Sequence, residues 1–230
     1  MLYSNYNPAR SAASYMYAVY AWMAAALSMS AVTAYFVAHS PTIFNFIYHN
    51  PAVLFMLFIA QLAMVISLGT MIMRISFATA VTLFMAYAIS VGATLSMLLY
   101  VYTMASIATT FLTTAGMFGG MALYGYITKT DLTSAGSMAR MVLWGLILSM
   151  LLNMWFKNPA FDLMISAIGV LVFCVLTAYD MQKIKHIGQE LITDDETLAK
   201  VALICALTLY LDFINLFLFL LRFLGKRRQD

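Results

Sequence analysis

Two aspartates stand where an apolar chain offers them no water. Asp180 closes the run Leu-Thr-Ala-Tyr-Asp-Met-Gln-Lys (176–183), and Asp212 lies midway along Leu-Tyr-Leu-Asp-Phe-Ile-Asn-Leu-Phe (209–217). A carboxylate at the centre of a membrane helix costs about 2.5–3.5 kcal/mol, so each must face protein or water and find a partner. Helical spacing puts Cys205, Thr208, Asp212 and Asn215 on one face, and Thr177 one turn before Asp180 at i−3. The chemistry open to such a pair is proton sharing: two carboxyls within hydrogen-bond reach do not both ionise cheaply and titrate together. Arg74, the basic residue between Arg10 and Lys129, ends an apolar run with Thr70 and Ser67 at i−4 and i−7. It is a natural counter-charge for Asp180; the alternative is an arginine that snorkels to headgroups.

Other chemistries lack their residues. His39, His49 and His186 all fall outside the apolar runs, which removes the usual base for a serine or cysteine nucleophile and leaves no plausible zinc site. Asp194-Asp195-Glu196 lacks the ligand spacing and central glycine of a calcium loop and reads as a solvated segment. Cys174 and Cys205 lie inside apolar runs without metal spacing and read as packing residues. Neither a catalytic residue nor a bound metal is therefore expected, and the chain does not read as an enzyme.

The elements that position the aspartates follow from composition. Of 230 residues 64% are apolar and 9% charged, against roughly 25% charged in soluble domains. So little charge does not cover a globular surface, and lipid is the expected solvent. Seven apolar runs, approximately 14–38, 51–73, 77–100, 104–127, 137–156, 160–182 and 200–224, are long and continuous enough for membrane helices and lack the alternation of a barrel. The first exceeds the core of a signal peptide and reads as a retained span. Asn50-Pro51 and Asn158-Pro159 have the form of a helix N-cap followed by a first-turn proline. The segment 41–50, rich in aromatics, reads as an interfacial loop. No repeat or linker divides the chain, so residues 1–230 read as a single seven-span, all-α domain.

With the N-terminus cytoplasmic, the inner segments hold Arg10, Arg74, Lys129, Arg140, Lys183, Lys185 and Lys200, whereas the outer loops hold Lys157. The tail (Arg222, Lys226, Arg227, Arg228) runs against this bias. The modest net charge of +3 sits mostly near helix ends and is no nucleic-acid signature. With span six ending near 182 and a loop over about 183–199, Asp180 reaches Asp212 only if the sixth helix continues through Lys185.

These motifs, together with Ser-Ile-Ala-Thr-Thr-Phe (106–111), Thr-Ala-Gly-Met-Phe-Gly (114–119) and Leu-Tyr-Gly-Tyr-Ile-Thr-Lys-Thr-Asp-Leu (123–132), resemble the Bax inhibitor-1 family in its bacterial inner-membrane branch. The resemblance runs in order along nearly the whole chain. It implies seven helices with the last enclosed by the other six, and a multi-pass inner-membrane location with a cytoplasmic N-terminus. It further implies a pH-sensitive calcium leak governed by Asp180 and Asp212, with Arg74 as a latch and Thr177, Thr208 and Asn215 as supporting polar groups. Calcium would be cargo rather than a bound cofactor. Gln61 stands where many relatives carry an acid. Some bacterial relatives also suggest a partner role toward a membrane quality-control protease. An intramembrane aspartyl protease is a weaker match: Tyr179-Asp180 fits half its pattern, but Leu209-Tyr210-Leu211 replaces the Gly-x-Gly expected before the second aspartate.

Overall fold

The computed structural model describes residues 8–190 and 195–228. Nine helices are found among them: α1 (Pro8–Ala38), α2 (Pro41–Tyr48), α3 (Pro51–Met71), α4 (Phe77–Leu95), α5 (Leu98–Val101), α6 (Met104–Ile127), α7 (Thr133–Phe156), α8 (Pro159–Glu190) and α9 (Asp195–Leu224). Seven helical stretches, with α4 and α5 counted as one, are long and apolar enough to cross a bilayer. Their order matches the seven runs of the sequence. Asn50 caps α3 by accepting from the Ala52 amide at 3.2 Å, and Asn158 caps α8 by accepting from Ala160 at 3.0 Å, each followed by proline.

Two segments differ from the sequence reading. Residues 41–48 form a helix, not a loop, because Ile47 is buried with Val37 and Ala93 while Phe44, Tyr48 and Leu54 pack around them. The Tyr48 hydroxyl donates to Thr94 O at 2.8 Å and binds the segment to the end of α4. The sixth span does not stop near 182. α8 runs on to Glu190, so Asp180 lies about 15 Å back from its end at 1.5 Å per residue. Ile184 and Gly188 are buried, and this buried side carries the helix through a stretch with lysines at 183 and 185. Asp194 lies outside the described residues, and Glu196 pairs with Lys200 at 2.8 Å.

The chain packs as two compact units. The first comprises α1 to α5 and the stretch Gly188–Tyr210. Its centre is Ser30 on α1, whose hydroxyl reaches Ala88 O on α4 at 2.7 Å and the Tyr210 hydroxyl at 2.8 Å. Phe84 and Tyr87 meet the Tyr210 ring edge-on, and a Cβ at Gly92 would strike the Ser30 carbonyl. The second unit comprises Tyr102–Ile187 and the chain from Leu211 onward. Here Phe213 meets Phe111 and Phe118 edge-on, and Phe219 packs on Phe173. Burial ranks the helices: 67% of the most apolar stretch of α9 is buried against 6% for α3, so α9 is the most buried span and α3 the most exposed.

Candidate functional site

The site lies in the second unit, where α8 and the later part of α9 bring two carboxyls together. The carboxyls of Asp180 and Asp212 lie within interaction range of each other. Two carboxyls this close do not both ionise cheaply. Asp212 is 5% exposed, and its Oδ2 is buried with no hydrogen-bond partner among the described residues. Asp180 is half-buried. The cations whose charge reaches Asp180 are Lys183, one turn on along α8, and Arg140 on α7.

Arg140 is the residue that sequence reasoning passed over. Its guanidinium lies over the Tyr179 ring, 4.8 Å from the ring centre, and Tyr179 is the residue before Asp180. Two glycines make this approach possible. A side chain at Gly136, one turn before Arg140 on α7, would run into the Tyr179 ring; one at Gly125 on α6 would run into the Ala178 carbonyl. Gln182 fixes the same turn of α8 from the other side: its Oε1 accepts from the Leu132 amide at 2.9 Å and its Nε2 donates to Thr130 O at 2.8 Å. Lys185 adds a bond from Nζ to Tyr126 O at 2.7 Å. Thus the segment from Ala178 to Lys185 is gripped by α6, the 128–132 loop and α7. The signal available in sequence was the glycine and arginine at i and i+4, uninformative without knowing what faces them.

The remaining candidates are satisfied locally. Thr177 Oγ1 donates to Phe173 O at 2.7 Å, Thr208 Oγ1 to Ile204 O at 3.1 Å and Asn215 Nδ2 to Leu211 O at 2.8 Å, each on its own helix. Gln61 uses its amide as a donor, Nε2 to Ser90 O on α4 at 3.0 Å, a bond that an ionised carboxylate could not make. Arg74 is exposed in the turn after α3, its amide donating to Met71 O at 2.8 Å, and no ion pair among the described residues involves it. Outside the spans, Asp131 Oδ1 accepts from the Thr133 amide at 2.9 Å. Hydrogen bonds from the Thr133 side chain and amide hold its carboxyl below the usual range.

Comparison with known proteins decides the family. The family model described as inhibitor of apoptosis-promoting Bax1 matches residues 12–229. The chain belongs to the Bax inhibitor-1 family. Within that family it is 48% identical over 215 residues to inner membrane protein YbhL of Escherichia coli strain K12, covering 93% of this chain and 92% of the relative. An uncharacterized protein of Borreliella burgdorferi is 43% identical over 92% of this chain and 91% of its own length. RP147 of Rickettsia prowazekii, likewise uncharacterized, is 41% identical over 94% and 90%. The Bax inhibitor-1 match thus spans every element that builds the aspartate pair.

Proposed function

We propose that this protein is a bacterial inner-membrane, pH-sensitive cation leak, with calcium as a cargo ion, in which the Asp180–Asp212 pair is the proton-operated gate. The observation that carries the reading is the Asp212 carboxyl, buried against Asp180 with its Oδ2 unpartnered among the described residues. A hard cation seeks carboxylate oxygens, and a path that conducts must bind it weakly enough to let it go. A pair that holds one proton offers a single negative charge, attractive to a cation without the full ligand set of a trap. Above the titration range the ionised form binds its cations, and the cytoplasmic end stays closed. A second proton removes that charge and frees them. Arg74 is the proposed latch; the stacking of Arg140 on Tyr179 supports a second cationic hold on the same turn. The inner-membrane location draws on the name of the Escherichia coli relative and on the seven apolar helices.

The test is calcium flux into liposomes holding purified protein, measured from pH 5 to 8. Wild type should show flux that rises as pH falls, and Asp212→Asn should show flux that no longer varies with pH. Equal pH-dependent flux in the two proteins would end the aspartate-pair reading.

A further inference from the structure

Three helix ends and the C-terminal tail meet in the second unit, around two adjoining cavities of about 450 and 460 Å³, a volume suited to a small ligand. Both are lined by Asn153 near the end of α7, Asp162 in the first turn of α8, Arg222 in the last turn of α9, and Arg227. The first also takes Lys157 and Asn158. Three cations face one carboxylate, leaving two formal positive charges. No ion pair among the described residues joins Lys157, Arg222 or Arg227 to Asp162. The polar wall is therefore complementary to an anion.

The chain is shaped to present these cations. Tyr102 and Arg227 form an antiparallel bridge, Thr103 donates to Lys226 O at 3.3 Å, and the Lys226 amide donates to Ser106 Oγ at 2.9 Å. This fastens the tail across the start of α6. Gly225 permits the bend, since a Cβ there would strike the Leu221 carbonyl and the Tyr102 ring. Lys157 has φ 49°, the left-handed conformation that glycine adopts most easily, at the end of α7. A lysine held in this glycine-favouring conformation places its charge at the rim of the first cavity.

The second cavity adds an apolar wall from Ile147, Leu151 and Met154, and Trp155 beside it is 89% exposed, as tryptophans are at headgroup depth. We propose that the two adjoining cavities together form one site for a phosphate anion, and that its physiological source is the headgroup of an anionic glycerophospholipid whose acyl chains lie along α7. The proposal accounts for the basic tail that runs against the charge bias of the other loops: its cations are ligands for lipid phosphate. It stands apart from the aspartate gate.

Native mass spectrometry of the full-length protein in detergent tests it, with phosphatidylglycerol, phosphatidylcholine and inorganic phosphate as probes. Phosphatidylglycerol should be retained in preference to phosphatidylcholine, and Arg227→Gln should weaken retention by about fivefold, the loss of one charged hydrogen bond at a partly exposed site. Lys157→Gly serves as the second variant. It should unfold no earlier than wild type, because glycine suits the turn, and yet retain less phosphatidylglycerol. Displacement of the lipid by millimolar inorganic phosphate would assign recognition to the phosphate alone; retention despite phosphate would assign part of it to the apolar wall. Equal retention of the two lipids, or unchanged phosphatidylglycerol binding in both variants, overturns the proposal.

Discussion

At the residue scale, the proposed gate requires the pair to titrate as one unit, so its members should not be interchangeable with neighbouring acids or histidines. Asp212→Asn keeps size and hydrogen bonding while removing a proton site, and is expected to give a folded protein whose calcium flux is flat between pH 5 and 8. Asp131 supplies the contrast. Its carboxyl is held below the usual range in the folded state, so any stability it contributes is present above its unfolded value near 3.9 and lost as pH falls through the lower folded value. Asp131→Asn should therefore leave the flux profile from pH 5 to 8 unchanged, and so should His186→Gln, since His186 is exposed on α8. Arg140 tests the cationic hold. Removing a cation near Asp180 makes the doubly protonated pair easier to reach, so Arg140→Ala should move the onset of flux to higher pH. A shift of about half a unit would correspond to roughly 0.7 kcal/mol of interaction between Arg140 and the pair. Arg74→Ala, measured beside it, separates latch from anchor: raised flux at neutral pH supports the latch, and an unchanged profile leaves Arg74 at the headgroups.

At the element scale, what holds Asp180 is a set of close backbone approaches. Gly125 brings α6 against Ala178, and Gly136 brings α7 against Tyr179. Small residues at helix contacts are the general device by which membrane helices pack, because burial of apolar surface gains little in lipid. Gly125→Ala should lower the thermal unfolding temperature in detergent through overpacking worth about 1–3 kcal/mol. Gly145→Ala, on the same α7 as Gly136 but with open space at its Cβ, should be neutral or slightly stabilising. An equal loss in both would show that the effect is not specific to the approach to Ala178. Sequence reasoning identified the seven spans and both proline-capped starts, because hydropathy and N-cap chemistry are local. It ended the sixth helix near 182 because lysines 183 and 185 look like a loop on hydropathy alone. The buried side formed by Ile184 and Gly188 became visible only in the fold.

At the scale of the whole molecule, the charge distribution predicts an inside N-terminus, and seven crossings then carry Lys226–Arg228 outside. A C-terminal reporter active only on the far side of the membrane checks this. A cytoplasmic tail would require that one of the seven helices does not cross. The phosphate site offers a physical reason for the exception: charges anchored by Tyr102, Ser106 and Gly225 to the rim of a cavity are held by folded structure, and cations near lipid phosphates are stabilised on either face.

The sequence by itself determined the solvent, the number and order of the membrane-length helices, and the two aspartates on which the proposed function rests. These follow from terms that act residue by residue: transfer of apolar side chains to lipid, the cost of a carboxylate in a span, and the capping of helix starts. It also carried the family, through motifs spread from 106 to 217. Only the tertiary structure decided that Asp180 and Asp212 come within interaction range, that Arg140 reaches the same turn through Tyr179, and that Thr177, Thr208 and Asn215 are spent on their own helices. Asp162 and Arg222, 60 residues apart in the chain, meet at one cavity for the same reason. Which polar groups meet is set by which backbones come close. That depends on glycines whose role is the absence of a side chain, a property that acquires meaning only when the neighbour filling the space is known.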